Sequence, residues 1–302
     1  MINGDLERAI LETLAYSDIF DSPLRLDELH RYLSVRAEVE YLPRMIGLLN
    51  NKVREKDGYY FLVGRENIIR TRKLRERTSR SLFQYAIKYG RLLGSLPFIR
   101  MVALTGSLAV MNSTKDADFD YMLVAASGRV WIARAFALLF NRITRLFGHT
   151  LCPNLIISEN ALAWSRHDLY SARELCQMIP ISGLDVYQKL MKANEWLKDF
   201  LPNATVRTSE VSKNSGVWRQ RLTELPLRGN LGNQLEHWEM KRKIPRFSRQ
   251  EGFGEETIFN ADICQGNFDH HRKWTQETFH RKMDHLITSS PDPVEDAIQV
   301  NV

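Results

Sequence analysis

The chain has 302 residues, a formal charge of +6 and a sequence pI near 9.2, with 44% hydrophobic and 26% charged residues. These proportions are typical of a globular protein that buries a sizeable core, and the length favours two domains with an additional tail. The mild basicity permits an anionic partner such as a nucleotide or a nucleic acid, without requiring one.

The cysteines and the apolar segments indicate the cellular setting. Cys152, Cys176 and Cys264 are widely spaced and odd in number, and no signal peptide is recognisable, which argues against a disulfide framework and predicts a reducing cytoplasm. No run reaches the roughly 18 apolar residues that suggest a membrane span. The nearest, residues 130–147, is interrupted by arginines, so no membrane partner is expected.

Residues 1–65 predict a small N-terminal domain. Helical apolar spacing occurs at residues 6–16, 26–33 and 41–49, and residues 53–63 predict a hairpin that turns at Asp57-Gly58. Three short helices followed by a hairpin resemble a winged helix-turn-helix, which implies DNA as a partner through the third helix. Acidic Glu38 and Glu40 near the start of that helix favour a protein-contact or dimerisation module instead.

Residues 66–203 predict an α/β unit. A basic segment, residues 64–96, predicts one or two amphipathic helices whose charges form a solvated face or, alternatively, a groove for phosphates. Beyond it, three strands and three helices are predicted. The strands are predicted at residues 99–104, 119–125 and 151–157, and the helices at residues 129–147, 167–178 and 184–200.

The chemical motif lies where the first two of these strands meet. The first strand ends in the turn Gly106-Ser107, and ten residues separate Ser107 from Asp118. Since alternate residues of a strand point to one face, Asp118 and Asp120 are predicted to project together while Phe119 faces the core. Two neighbouring carboxylates repel each other unless a cation lies between them, and hard oxygen ligands suit Mg²⁺ or Mn²⁺.

The turn supplies the other half of the motif. Gly106 allows close approach of the backbone, and Ser107 offers a hydroxyl and an amide to phosphate oxygens. Gly106 and Ser107 are therefore the candidate nucleotide-binding residues, with Asp118 and Asp120 as candidate metal ligands and catalytic residues. Such a set orients a triphosphate for in-line attack at its α-phosphorus.

The order of strand, Gly-Ser turn, loop and Asp-x-Asp strand resembles the signature of the DNA polymerase beta-like nucleotidyltransferases. The resemblance covers residues 98–160 and extends loosely to 203. It implies a mixed sheet flanked by helices, an NTP substrate, Mg²⁺ or Mn²⁺, and transfer of a nucleoside monophosphate to a hydroxyl or similar acceptor. A protein, an RNA and a small molecule all remain candidate acceptors.

One position departs from that signature. Many members of the family carry a third carboxylate on the next strand, where it binds a metal ion and helps to activate the acceptor. Here the corresponding residue is Asn154, a further catalytic candidate, which offers an oxygen but is no general base. Asp168 or Glu174 on the following helix are alternative bases, although both are typical of ordinary helix-surface residues. If the site has no base, it is expected to bind nucleotide and metal but to transfer the nucleoside monophosphate slowly or not at all.

Residues 204–302 carry weaker signals. Residues 204–216 are typical of a linker, residues 268–287 predict a helix, and residues 289–302 predict a frayed terminus. Four histidines between 270 and 285 match no standard zinc spacing with Cys264, so a metal site there is not favoured.

These patterns predict an α+β protein in three parts. A winged-helix-like domain at 1–65 precedes a nucleotidyltransferase-like domain at 66–203, with a mixed β-sheet flanked by helices, and a mostly helical or irregular region at 204–302. The predicted function is metal-dependent nucleotidyl transfer from an NTP in the cytoplasm. The alternatives are a catalytically weak nucleotide-binding regulator coupled to the winged-helix module, and an antitoxin-like transferase that modifies a partner protein.

Overall fold

A computed structural model of the chain describes residues 2–205 and 217–288. The helices in these residues are α1 (Ile2–Asp18), α2 (Leu26–Arg31), α3 (Leu42–Leu48), α4 (Ile68–Gly94), α5 (Gly106–Ala109), α6 (Val130–Arg145), α7 (Leu169–Gln177), α8 (Leu184–Ala193), α9 (Leu197–Phe200), α10 (Val217–Glu224), α11 (Asn230–Phe247) and α12 (His271–Thr288). The strands are β1 (Val53–Lys56), β2 (Tyr59–Leu62), β3 (Ile99–Leu104), β4 (Phe119–Ala125), β5 (Leu151–Ser158), β6 (Ile179–Ser182), β7 (Thr257–Phe259) and β8 (Ile263–Gly266). Most of the predicted linker and all of the predicted frayed end lie outside the described residues.

The N-terminal part contains the three helices and the hairpin that the sequence predicts. Strands β1 and β2 are antiparallel, and Asp57 (φ +57°) and Gly58 (φ +77°) occupy the turn between them. Both residues therefore have the positive φ that a tight hairpin turn of this kind requires. Ile10, Leu29 and Leu42 are fully buried where α1, α2 and α3 meet. The winged-helix assignment itself stays a prediction.

The basic segment forms one continuous helix, α4, of 27 residues. Its apolar side packs on β3 and β6, and its exposed cations are Arg70, Lys73, Arg77, Arg80, Lys88 and Arg91. Arg72 is different, because it is 2% exposed and pairs with Glu76 at 3.0 Å and with Glu28 of α2 at 2.6 Å. This buried ion-pair cluster connects α4 to the N-terminal helices.

A mixed six-stranded sheet forms the centre of the protein, in the order β6-β3-β4-β5-β8-β7. Strands β4 and β5 are parallel and are joined by α6, whereas every other neighbouring pair is antiparallel. One face, with Val102, Leu104 and Leu123, packs against α4 and α6. The other face, with Met101 and Met122, packs against α7, α8 and the N-terminal helices. Apolar residues on both faces are expected of central strands that are covered on both sides.

The C-terminal region differs in part from the mostly helical or irregular region predicted at 204–302. It also contains two strands, since β8 pairs with β5 and β7 pairs with β8 at the edge of the sheet. Strand β6 was also not predicted, and the helix predicted at 184–200 is divided into α8 and α9. Strand β6 has four residues and β7 has three, so both are too short to show the alternation that identifies longer strands.

Buried carboxylates attach this C-terminal region to the sheet. Glu224 of α10 accepts hydrogen bonds from the Phe98 amide at 2.8 Å and from Arg100 at 2.7 Å. Glu236 of α11 accepts from the amides of Trp131 and Ile132 at the start of α6, at 2.8 and 2.9 Å. A boundary at 203 therefore separates segments that share one sheet. Within residues 2–205 and 217–288, no helix combines the length and apolar character needed to cross a membrane.

Candidate active site

The Gly-Ser bend lies directly against Asp120. The Thr105 amide donates a hydrogen bond to the Asp120 carbonyl at 2.9 Å, and Gly106 follows with φ +65°. A Cβ at position 106 would overlap the Asp120 carboxylate oxygen and would lie 3.1 Å from its Cγ. Glycine is therefore required at 106 both by its backbone conformation and by the neighbouring side chain. The bend and the second aspartate are in contact, as the motif predicts.

The two aspartates occupy different environments at the start of β4. Asp118 is exposed and precedes the strand, whereas Asp120 is half-buried. Phe119 and Tyr121 point into the opposite core, where they are 1% and 0% exposed. Burial, and then the charge of Asp118, raise the pKa of Asp120 to about 7. The carboxylates are thus close enough for their charges to interact, and Asp120 holds a proton more tightly than a free aspartate does.

The residue opposite Asp120 on β5 is Cys152. The parallel register pairs Asp120 with Cys152, and the thiol is hydrogen-bonded to the carboxylate. Burial, and then the charge of Asp120, raise the pKa of Cys152 to about 12, so the thiol is neutral at physiological pH. The sequence does not predict that Cys152 lies opposite Asp120, because the register between two strands joined by a long crossover depends on tertiary structure.

Asn154 lies in the same wall, two residues farther along β5. The register pairs Tyr121 with Pro153 and Met122 with Leu155, so Asn154 falls at an irregularity and has no direct partner on β4. It lines the cavity described below together with Cys152. Asn154 is therefore near the predicted site, but Cys152 is the residue that faces Asp120 across the strand pair.

A third carboxylate reaches the site from helix α7. Glu174 lines the same cavity as Asp120, and burial, followed by the charge of Asp120, raises its pKa to about 7. Of the two acidic residues considered on this helix, Glu174 therefore faces the site. Asp168 instead caps α7 by accepting from the Ser171 amide at 2.7 Å, and it pairs with Arg272 of α12 at 3.3 Å.

These groups share a cavity of about 620 Å³. Its walls come from the N-terminal helices, the Gly-Ser bend, strands β4 and β5, helix α7, the β7–β8 hairpin and the start of α12. Representative lining residues are Tyr16, Tyr32, Thr105, Gly106, Ser107, Asp120, Asn154, Glu174, Gln265 and Thr275. Asp118 is not among the lining residues, so it lies outside the cavity on the exposed side of Asp120.

The arrangement is suited to a metal ion only in part. Among residues 2–205 and 217–288, no group of three or more His, Cys, Asp or Glu side chains is arranged to hold a metal ion by itself. Asp118 and Asp120 supply hard oxygen atoms, which fits Mg²⁺ or Mn²⁺, and further ligands have to come from water or a bound phosphate. The same result extends to the histidines of α12, which gather no metal site with Cys264. Asp116 is exposed in the loop before β4.

Comparisons of the chain with models of protein families, with curated proteins and with solved structures found no match. The geometry of the site is therefore the basis on which a function is inferred.

Proposed function

We propose that the protein is a metal-dependent nucleotidyltransferase that transfers a nucleoside monophosphate from an NTP to an acceptor. The observation that carries the proposal is the contact between Gly106 and the Asp120 carboxylate, beside exposed Asp118. A cavity lined by a glycine-serine bend, next to an acidic pair, is suited to binding a metal-complexed triphosphate. Resemblance to the polymerase beta-like signature supports the same assignment.

Each residue has a defined role in this proposal. Gly106 and Ser107 would hold phosphate oxygens, and Asp118 and Asp120 would hold Mg²⁺ or Mn²⁺. The bound metal would supply charge neutralisation for the reacting phosphate and for the pyrophosphate that leaves. The limited set of protein ligands is consistent with a metal ion that binds together with its nucleotide.

Glu174 is the proposed general base. Its pKa is raised to about 7, and a general base is most effective when its pKa lies near the pH at which the enzyme works. Glu174 takes the proton of the acceptor hydroxyl, whose oxygen then forms a bond to the α-phosphorus. The bond from the α-phosphorus to the bridging oxygen breaks, and pyrophosphate leaves. Asn154, with no charge, orients the acceptor or nucleotide by hydrogen bonding.

The experiment measures label transfer. The purified full chain is incubated with each α-labelled NTP, Mg²⁺ or Mn²⁺ and panels of protein, RNA and small-molecule acceptors. Transfer or pyrophosphate release that is lost in Asp118→Ala and Asp120→Ala supports the proposal. The matched control is Asp116→Ala, because Asp116 is an exposed aspartate of the same loop and is expected to be dispensable. Equal activity in all three variants would refute the assigned metal ligands.

One observation favours a second function, the nucleotide-binding regulator. Tyr16, Phe20, Glu28 and Tyr32 of the N-terminal part line the cavity, so a ligand that fills the cavity would contact this part directly. In that case the chain binds nucleotide and metal without turnover, and nucleotide alters its affinity for duplex DNA or for a protein partner. Metal-dependent nucleotide binding without transfer to any acceptor would favour this alternative over the enzyme.

A further inference from the structure

One buried cation in the cavity forms no ion pair with any carboxylate in the described part of the chain. Arg173 of α7 is 2% exposed and lines the cavity. Its guanidinium carbon lies 4.6 Å from the ring centroid of Tyr16 and 4.2 Å from that of Tyr32. Among the described residues, the ionisable groups that act on it are these two tyrosines and Cys176, none of which is a carboxylate. Arg72, in the same wall, is instead neutralised by two carboxylates.

Other buried side-chain atoms without a hydrogen-bond partner belong to residues that line the same cavity. In the described part of the chain, six buried side-chain polar atoms have no hydrogen-bond partner, and four of them belong to cavity-lining residues. These are Nε of Arg173, Nε of Arg272, Nε1 of Trp164 and Oγ1 of Thr105. Three are obligatory donors and the fourth is a hydroxyl, so the missing partner is rich in acceptors. A buried cation and buried donors without acceptors are each costly, which points to a ligand that completes them.

Arg173 and the proposed phosphate-binding bend line the same cavity from different elements. Gly106 and Ser107 follow β3, whereas Arg173 lies on α7, beside Tyr16 and Tyr32 of the N-terminal part. Asp118 is exposed and is not among the lining residues. A cavity of about 620 Å³ with walls from both ends of the chain falls within the size range of small-molecule sites.

We infer that the acceptor is a small hydroxylated molecule with an anionic group, carboxylate or phosphate, which pairs with the Arg173 guanidinium while its hydroxyl reaches Glu174. This inference rests on the proposed nucleotidyltransferase function and assigns its acceptor class. The acceptor hydroxyl gives its proton to Glu174, its oxygen bonds to the α-phosphorus, and pyrophosphate departs. Arg173 takes no part in these bond changes and positions the acceptor.

The test measures anion binding to the full chain without metal ions. In EDTA, inorganic phosphate and D-glycerate are titrated by calorimetry, with glycerol as the neutral counterpart. Wild-type protein is expected to bind at least one of the two anions and not glycerol. Loss of a charge-assisted hydrogen-bonding group in Arg173→Met is expected to weaken that binding by about tenfold or more. Arg70→Met removes the same charge from the exposed face of α4 and is expected to bind as wild type does.

A second measurement does not depend on the folding of Arg173→Met. The Nε–H resonance of Arg173, identified by its disappearance in the Arg173→Lys spectrum, is expected to shift when phosphate or glycerate is added to wild-type protein. Failure of wild type to bind either anion, or an unchanged Nε–H resonance on saturation, would overturn the inference. Unchanged affinity in a folded but less stable Arg173→Met would also overturn it, because Arg173 would then be a structural cation.

Two further arms separate the acceptor site from the enzyme proposal. If a nonhydrolysable ATP analogue with Mg²⁺ displaces the anion competitively, Arg173 belongs to the nucleotide site and the acceptor assignment is wrong. Simultaneous binding supports it. Anion binding in EDTA is independent of catalysis. Anion binding without label transfer to any acceptor of the protein, RNA and small-molecule panels refutes the proposed function. Label transfer without anion binding at Arg173, or transfer to proteins or RNA but not to hydroxy acids or sugar phosphates, refutes only this inference.

Discussion

Gly106→Ala tests the contact on which the site depends. Two costs are expected. An L-residue held at φ +65° costs about 1–2 kcal/mol. The added methyl would also lie 3.1 and 3.2 Å from Cγ and Cβ of Asp120 and would overlap a carboxylate oxygen, and overpacking of this kind costs about 1–3 kcal/mol more. The free energy of unfolding is therefore expected to fall by about 2–5 kcal/mol in total.

Gly128→Ala is the matched control for backbone strain. Gly128 has φ +64°, but an added Cβ there meets no atom within 4 Å. Its expected cost is therefore only the conformational share, about 1–2 kcal/mol. Urea unfolding of both variants gives the difference in the free energy of unfolding, and that difference measures the collision with Asp120. Gly106→Ala is also expected to lose metal-dependent nucleotide binding, whereas Gly128→Ala keeps it.

A double-mutant cycle identifies the partner of the collision. In an Asp120→Ala background the carboxylate is absent, so most of the extra cost of Gly106→Ala is expected to disappear. If Gly106→Ala costs no more than Gly128→Ala and binds nucleotide normally, the bend does not press on Asp120, and the reasoning about the site is refuted.

Three other predictions concern the carboxylates. Because the pKa of Asp120 is raised to about 7, the folded protein keeps a proton that the unfolded chain releases near pH 4, so this residue makes the free energy of unfolding fall as the pH rises from about 4 to about 7. Asp120→Asn is expected to flatten this slope and to be more stable than wild type at pH 8, and urea titrations at several pH values check both effects. Glu174→Gln is expected to slow label transfer by about 10²–10⁴-fold while metal–nucleotide affinity stays the same, and a parallel loss of affinity in calorimetry would contradict its role as a base. At Glu224, burial raises the pKa, but the hydrogen bonds from Arg100, the Phe98 amide and Arg228 outweigh this effect and lower the pKa to about 2. The contribution of Glu224 to the free energy of unfolding is therefore complete above about pH 4.5 and is lost as the pH falls towards 2. Glu224→Gln is expected to cost about 3 kcal/mol at pH 7 and to remove that acid-dependent part of the unfolding curve; an unchanged midpoint would show that α10 is not held by this carboxylate.

The local parts of the site were readable from the sequence. Alternation along β4 placed Phe119 in the core and Asp120 on the other face, and the structure confirms it. Gly106 marked a bend after an apolar strand, and the bend is present with positive φ. These features depend on residues a few positions apart, whose sterics and alternation act within a single strand or turn.

The remaining parts were decided by tertiary structure. Cys152 faces Asp120 only through the parallel register of β4 and β5, which are separated in sequence by the α6 crossover. From its sequence context, Glu174 was a candidate base that resembled an ordinary surface residue. It lines the cavity because α7 packs over the sheet. Strands β7 and β8 also joined the sheet from a region with no strand signal, because pairing at a free edge depends on which segment reaches it.

The sequence by itself therefore determined the Gly-Ser bend, the acidic pair and the α+β character of the chain. The tertiary structure alone determined the third carboxylate, the enclosing walls and the buried cation at Arg173. The physical reason is the range of the interactions. Backbone sterics and side-chain alternation act between near neighbours, whereas burial, charge pairing and strand register depend on segments that are brought together only by folding.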